Sequence, residues 1–140
     1  MYDAVIIGSG PAGLTAAIYL LRACKKVLIL EKESIGGQIT ASSKVENYPG
    51  FSSISGMDLM NRLYEQVVNL GGEVLLEEAL EIKDGKVKEV VTDVNSYKTK
   101  TIILALGSKN RLLNIEKEQE FIGNGISFNQ KLFNCRKRKK

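Results

Sequence analysis

The fold is decided by residues 4–31, which read AVIIGSGPAGLTAAIYLLRACKKVLILE. The stretch opens with four apolar residues, 4–7, which predict a strand buried on both faces, as in a parallel sheet. A glycine-rich turn follows, then a helix-favouring segment that ends near Cys24, and then a second apolar strand at residues 27–30. This order of strand, tight turn, helix and strand predicts a βαβ unit whose two strands are parallel.

The glycine-rich turn, GSGPAG at residues 8–13, has the spacing of a dinucleotide-binding fingerprint. Gly8 allows the tight turn, Gly10 lets a pyrophosphate approach the backbone, and Gly13 lets the helix pack closely on the strand. Unpaired N–H groups at the start of the helix then face the phosphates, and a proline in the first helical turn costs nothing there. The residues predicted to contact the cofactor are Gly8, Ser9, Gly10, Pro11, Ala12 and Gly13. The alternative is a purely structural glycine turn.

An acidic residue closes the second strand. The fingerprint places such a residue about 20 positions after the first glycine, where it accepts hydrogen bonds from an adenosine ribose. Glu31 meets this requirement, and its charge disfavours a ribose 2′-phosphate, so the pattern predicts FAD or NAD rather than NADP. We expect Glu31 and its neighbour Lys32 to bind the cofactor; an exposed glutamate at a strand end, without a ligand, is the alternative.

Composition narrows the classes of function. The chain has 140 residues, of which 44% are hydrophobic and 26% charged, which is typical of one globular domain. Its apolar runs are far shorter than the roughly 20 residues of a membrane span, and no basic segment precedes the first of them, so neither a span nor a secretory signal is expected. Two cysteines without a CxxC pair fit a reducing, cytoplasmic location. The lack of histidine disfavours a metal site.

The net charge of +4 is concentrated at the end of the chain. Residues 129–140 carry six basic residues and no acidic one, which leaves the remainder slightly acidic. Nucleic-acid binding by the fold itself is therefore not expected. The basic segment is predicted to be a disordered tail, such as a change of reading frame would produce. An arm that binds nucleic acid or acidic lipid is the alternative.

The remaining elements follow from local patterns. Residues 31–55 lack periodicity and predict a long loop of the kind that holds a ligand. A helix is predicted from Met57, with Ser55 as its N-cap and the Gly71-Gly72 pair as its end, followed by a strand at residues 73–76. Three half-exposed stretches, at 79–83, 86–94 and 97–100, predict an antiparallel meander, and residues 101–104 predict a central parallel strand.

Some side chains are expected to serve packing alone. Cys24 is predicted to be a small core residue at the end of the first helix. Tyr19 and Met60 fit helix packing and need no ligand. Cys135 is predicted to be an exposed thiol without a catalytic role, since no base lies near it in the sequence.

Several segments together resemble the flavin domain of bacterial thioredoxin reductases, which are class II pyridine nucleotide-disulphide oxidoreductases. They are GSGPAGLTAAIYLLRA, the strand that ends at Glu31, GGQIT, VENYPGF and the helix from Met57. The resemblance runs from Met1 to about Phe128. It implies an α/β, three-layer ββα FAD/NAD(P)-binding Rossmann-like domain, with a parallel sheet and a three-stranded antiparallel β-meander.

The same resemblance implies further contacts with FAD. It places Gly36, Gly37 and Gln38 along the flavin side of the pocket, and Asn47 at the isoalloxazine. By position, the backbone near Ala79 meets the adenine. Ala105 and Gly107 belong to the turn after the last strand, where the family has Ala-Thr-Gly and this sequence has Leu106 without the hydroxyl.

The family passes a hydride from NADPH to FAD and then to a CxxC disulfide, which reduces thioredoxin. In the family, a segment like residues 123–128 leads into Cys-Ala-Thr-Cys-Asp, whereas this sequence continues with Asn129. The redox cysteines and the NADPH domain are thus absent, and no catalytic residue is predicted. The expected organisation is an FAD-binding half-domain at 1–114, a connector at 115–128 and the tail at 129–140. A thioredoxin-like acceptor and a homodimer are the partners that the resemblance implies.

The expected function is therefore that of a truncated thioredoxin-reductase-like flavoprotein, inactive or poorly active by itself. A non-catalytic dinucleotide-binding or interaction module is the alternative. An NAD-dependent dehydrogenase is disfavoured by the pairing of GGQ with ENYPG.

Overall fold

The computed structural model describes residues 1–109, 111, 112, 115 and 117–122. The chain divides into two compact units, Met1–Gly107 and Ser108–Lys140. The predicted domain limits at 114 and 128 stay predictions.

The first unit opens with the predicted βαβ arrangement. Strand β1 is Tyr2–Ile7, helix α1 is Pro11–Arg22 and strand β2 is Val27–Glu31. The two strands are parallel, and Ile7 of β1 is paired with Leu30 of β2. The continuous apolar sequence of both strands is explained by their burial on two faces.

The loop and the second helix also lie where the sequence predicts them. A short 3₁₀ helix, Gly37–Ala41, occupies the start of the loop, and an isolated bridge joins Val45 to Ile54. Helix α2 is Gly56–Asn69, and strand β3 is Glu73–Leu76. The predicted N-cap is confirmed, because the Ser55 hydroxyl accepts a hydrogen bond from the Asp58 amide at 3.0 Å.

The later strands differ from the expectation in one respect. Strands β4 and β5 are Ala79–Lys83 and Lys88–Thr92, but the last two predicted strands form one continuous strand β6, Ser96–Leu104. Its first half pairs antiparallel with β5, and it pairs parallel with β1 from Thr99 to Leu104. The meander therefore continues the parallel sheet, and the six strands have the order β3-β2-β1-β6-β5-β4.

Two apolar clusters lie on opposite faces of the parallel strands. On one face, Ile6 and Ile29 pack with residues of α1 and α2, among them Leu14 and Met60. On the other, β1 and β2 residues such as Val5 and Leu28 pack with Val90 of the meander. The helices therefore cover one face of the parallel strands and the meander covers the other, which gives three layers although all six strands belong to one sheet. The predicted Rossmann-like α/β class is confirmed.

The prediction for Cys24 is wrong. Helix α1 ends at Arg22, and the chain then turns through Cys24, which is exposed and has a φ of +56°. Its amide donates to the carbonyl of Leu21, and the next amide donates to the carbonyl of Leu20, a pair of bonds that defines a Schellman motif. Tyr19 is also exposed, whereas Met60 is buried as expected.

The second unit is described at few positions. It contains a short helix α3, Glu118–Phe121. Residues 123–128, the predicted tail at 129–140 and Cys135 lie outside the described residues. Within the part of the chain that the structure describes, no helix is long and apolar enough to cross a membrane.

Candidate functional site

The candidate site lies at the carboxyl edge of the parallel strands. The last residue of β1, Ile7, is paired with Leu30 on one side and with Leu104 on the other, and Glu31 is paired with Leu76 of β3. The segments that follow these four strands therefore leave the sheet at the same edge. In open α/β sheets this edge is where ligands bind.

Two glycines of the turn are required by the protein itself. Gly8 has a φ of +107°, and a Cβ there would lie 2.2 Å from the carbonyl oxygen of Ala105. A Cβ on Gly13 would lie 1.9 Å from the carbonyl oxygen of Gly8. Any side chain at either position would displace backbone, so these two glycines hold β1, α1 and the end of β6 together.

Gly10 is different. It is the N-cap of α1 with φ −69° and ψ −177°, a conformation open to any residue, and the nearest atom to a Cβ built there is the carbonyl oxygen of Gly36 at 4.0 Å. Among the described residues, none packs into the space that a side chain at Gly10 would fill. The chain therefore has no packing reason for glycine here, and the empty space is of the kind that a ligand group requires.

The start of α1 offers hydrogen-bond donors to that space. No side chain caps the helix N-terminus, and its first turn contains no acidic residue. The amide of Leu14 already donates to Gly10 at 3.0 Å, which leaves the earlier N–H groups at the positive end of the helix dipole. This end of α1 can therefore bind an anion such as a pyrophosphate.

The carboxylate of Glu31 points at the glycine-rich turn. Its Oε2 accepts hydrogen bonds from the amide and the hydroxyl of Ser9, at 2.9 and 2.8 Å. Its Oε1 accepts from the amides of Lys32 and Glu33, at 2.9 and 3.2 Å. Burial alone would raise the pKa of Glu31, but these four hydrogen bonds outweigh it and hold the pKa below its usual range. The group is therefore ionised at neutral pH.

Ser9 connects this carboxylate to the next loop. The Ser9 side chain is fully buried, and the amide of Gly36 donates to both the carbonyl oxygen and the hydroxyl of Ser9, at 3.1 and 3.2 Å. Gly36 has a φ of +102°, and a Cβ there would lie 2.6 Å from the Thr40 methyl group. A Cβ on Gly37 would lie 3.7 Å from the α-carbon of Gly10. The structure thus brings the turn, Glu31 and the Gly36-Gly37 pair into one cluster.

The other predicted residues fall into three groups. Ala105 joins the cluster, since its amide donates to Ile7 at 2.8 Å and its Cβ is close to Gly13. Lys32, predicted to bind the cofactor, lies 3.6 Å from the carboxylate of Glu78, the residue before Ala79, for which the adenine contact is predicted. Exposed segments carry Gln38, Asn47 and Gly107, whose contacts with a flavin stay predictions.

The sequence pattern does not predict what Ser9 does. It predicts Ser9 only as a member of the turn, whereas in the structure the Ser9 side chain links Glu31 to Gly36. The available signal was a small hydroxyl residue between the first two glycines, together with an acid at the end of the next strand.

A groove of about 600 Å³ lies elsewhere, beside α2. Arg62 and Leu63 line it together with Tyr48 and Phe51 of the preceding loop, and the Arg62 guanidinium lies 5.4 Å from the centre of the Phe51 ring. None of the predicted site residues lines this groove.

The sequence pattern of the pyridine nucleotide-disulphide oxidoreductases matches residues 2–137. This chain belongs to that family. It is 47% identical to thioredoxin reductase from Ureaplasma parvum over 129 residues, which are 91% of this chain and 42% of that protein. Thioredoxin reductase from Bacillus subtilis is 40% identical over 91% of this chain and 41% of its own length.

Solved structures of thioredoxin reductases agree with the fold. The thioredoxin reductase of Lactococcus lactis superposes with a TM-score of 0.82 at 42% identity, over 86% of this chain and 40% of the other. The enzyme from T. acidophilum gives 0.79 at 32% identity. The resemblance to thioredoxin reductases is confirmed, and the chain spans about two fifths of the length of these relatives. Membership of this family implies flavin binding in general.

Proposed function

We propose that this chain binds FAD at the glycine-rich turn, as part of a thioredoxin-reductase-like flavoprotein. The observation that carries the proposal is the unfilled space at Gly10, which lies at the uncapped start of α1 beside an ionised carboxylate from the next strand. A pyrophosphate and the hydroxyls of an adenosine ribose have the chemistry that these two features require.

Different residues of the cluster contact different parts of the dinucleotide in this proposal. The start of α1 and Gly10 hold the pyrophosphate, and Glu31 accepts a hydrogen bond from the ribose. Lys32 and Ala79 contact the adenosine end. The flavin end is contacted by Gly36, Gly37, Gln38, Asn47, Ala105 and Gly107.

The charge of Glu31 selects among dinucleotides. Its low pKa keeps it negative at neutral pH, so it repels a phosphate on the ribose 2′ oxygen. This supports FAD over NADP at this site. The choice of FAD over NAD is supported by the family and by the Gly36-Gly37 pair, which the Ser9–Gly36 hydrogen bonds hold beside the turn.

Bound FAD supplies a two-electron acceptor for hydride, and the protein supplies its binding and orientation. In a complete enzyme of this type, we expect NADPH to be the hydride donor and a thioredoxin-like protein the final acceptor. The sequence of 140 residues contains no CxxC pair, so we assign the disulfide step to no residue of this chain.

The test is reconstitution of the full chain with FAD, followed by removal of free flavin and measurement of the retained flavin absorbance. Gly10→Ala places a methyl group where the pyrophosphate would lie without displacing protein atoms, and should weaken FAD binding by about tenfold or more. Gly85→Ala, in the exposed turn between β4 and β5, is the matched control and should leave FAD binding unchanged.

Flavin that is not retained by the unaltered chain, or is retained equally by Gly10→Ala, would contradict the proposal. Stoichiometric binding of NAD without FAD would favour a dehydrogenase instead.

A further inference from the structure

The carboxylate of Glu31 has no open acceptor position in this structure. Each carboxylate oxygen offers about two lone-pair sites. At Oε2 both are taken by Ser9, and at Oε1 both are taken by the amides of Lys32 and Glu33. A ribose hydroxyl that donates to Glu31 must therefore replace one of these four donors.

Only one of the four donors can leave without movement of the main chain. Three are backbone N–H groups, of Ser9 in the glycine-rich turn and of the two residues that follow β2. The fourth is the Ser9 hydroxyl, whose hydrogen turns about a single bond. If that hydroxyl turns away, the Gly36 amide stays bonded, because it also donates to the carbonyl oxygen of Ser9 at 3.1 Å.

We infer that the Ser9 hydroxyl occupies the position on Glu31 Oε2 that a ribose hydroxyl takes when the dinucleotide binds. Ser9 is then a specificity-determining residue: by competing for Glu31 it lowers the preference of the site for sugars that carry hydroxyl groups. The inference rests on the proposed dinucleotide function and assigns to Ser9 a role opposite to that of an orienting residue.

The substitution that removes this competition leaves the site in place. Ser9→Ala deletes the hydroxyl, but three backbone N–H groups still hold the Glu31 carboxylate toward the turn. No buried donor loses its last partner, because the Gly36 amide retains the Ser9 carbonyl oxygen. We therefore expect Ser9→Ala to fold and to present Glu31 with one open lone pair.

The experiment measures binding of ADP and of 2′,3′-dideoxy-ADP to the full chain by calorimetry, and takes the ratio of the two affinities. In Ser9→Ala this ratio should rise by about three- to tenfold, the worth of one net hydrogen bond. ADP should bind more tightly, and the dideoxy ligand should be unaffected. In a Glu31→Ala background, where no acceptor oxygen remains at this position, adding Ser9→Ala should leave the ratio unchanged. Ser9→Gly lacks the same hydroxyl and gives an independent measurement.

The outcomes separate the two proposals. A ratio in Ser9→Ala equal to that of the unaltered chain overturns the inference, since a merely structural effect would shift both affinities together. A lower ratio also overturns it, because Ser9 would then orient the carboxylate. If ADP does not bind the unaltered chain at all, the dinucleotide site itself is wrong, and this inference is wrong with it.

Discussion

The carbonyl oxygen of Gly8 lies against the α-carbon of Gly13, so closely that a methyl group on Gly13 would approach that oxygen to 1.9 Å. This contact fixes the start of α1 to the end of β1. The tight turn that results leaves the space at Gly10 open beside the helix N-terminus. Gly8 and Gly13 thus allow the tight turn that forms the candidate site, and Gly10 leaves the space beside the helix N-terminus open.

Gly13→Ala should therefore destabilise the fold rather than only weaken a ligand. The added methyl would meet backbone, which cannot move aside as a side chain can, and we expect a loss of about 3 kcal/mol or more in the free energy of unfolding. Denaturant unfolding of the chain without ligand measures this loss. In Gly85→Ala the added Cβ would lie 3.5 Å from the Val87 carbonyl oxygen, an ordinary contact distance. This variant should change the free energy of unfolding by less than about 0.5 kcal/mol. Equal stability of the two variants would contradict the tight packing of the turn.

The meander is held to the parallel strands by Val90. This side chain is fully buried against Val5, Ile7 and strand β2, whereas Val87 in the neighbouring turn is 47% exposed. Val90→Ala should lower the free energy of unfolding by about 2 kcal/mol through lost burial and the cavity left behind. Val87→Ala makes the same change at an exposed site and should cost less than about 0.5 kcal/mol. Similar losses for both variants would show that the meander does not cover the sheet.

Cys24 offers a stabilising substitution. It occupies the C′ position of the Schellman motif at a φ of +56°, where glycine carries no steric penalty. Cys24→Gly should raise the free energy of unfolding by about 0.5–1 kcal/mol, as a shift of the denaturation midpoint would show. Cys24→Ala removes the thiol without relieving the backbone, so it should give no such gain. If Cys24→Ala raised the free energy of unfolding as much as Cys24→Gly, the cause would be loss of the thiol and not relief of the backbone.

Alkaline pH should destabilise the chain through Tyr2. Burial and a hydrogen bond to the Glu73 carboxylate raise the pKa of Tyr2 from 10.0 to about 12. Between these values the folded chain keeps a phenol proton that the unfolded chain has released, so the free energy of unfolding falls as the pH rises through this range. Unfolding measured across the range should have a shallower pH slope in Tyr2→Phe. Tyr19→Phe removes an exposed phenol and should keep the original slope; a slope unchanged in Tyr2→Phe would remove Tyr2 as its source.

Acidic pH should act through Glu31. Hydrogen bonds from Ser9 and the following amides hold its pKa below the ordinary 4.5. Below that value the unfolded chain takes up the proton first, so the stability present at neutral pH is lost as the pH falls through the pKa of the folded state. The acid slope of the unfolding free energy should be shallower in Glu31→Gln. The exposed Glu81 gives the control variant, Glu81→Gln. If both variants follow the slope of the unaltered chain, the Ser9–Glu31 bonds do not stabilise the fold.

Local patterns were sufficient for most of the elements. The capped start of α2 at Ser55 and the parallel strands β1 and β2 were predicted correctly, because each depends on neighbours within a few residues. The exposure of Cys24 was not predicted. A Schellman motif normally has glycine at C′, and Cys24 gives no such signal.

The sequence by itself determined the βαβ unit, the tight turn at Gly8 and the close packing at Gly13, since residue type and spacing along one segment define them. Only the tertiary structure decided that β6 runs unbroken from the meander into the parallel sheet, and that Ser9 joins Glu31 to Gly36. The physical reason is the range of the interactions: strand pairing and hydrogen bonds between distant segments depend on where the folded chain places each partner, and periodicity along the chain does not encode that.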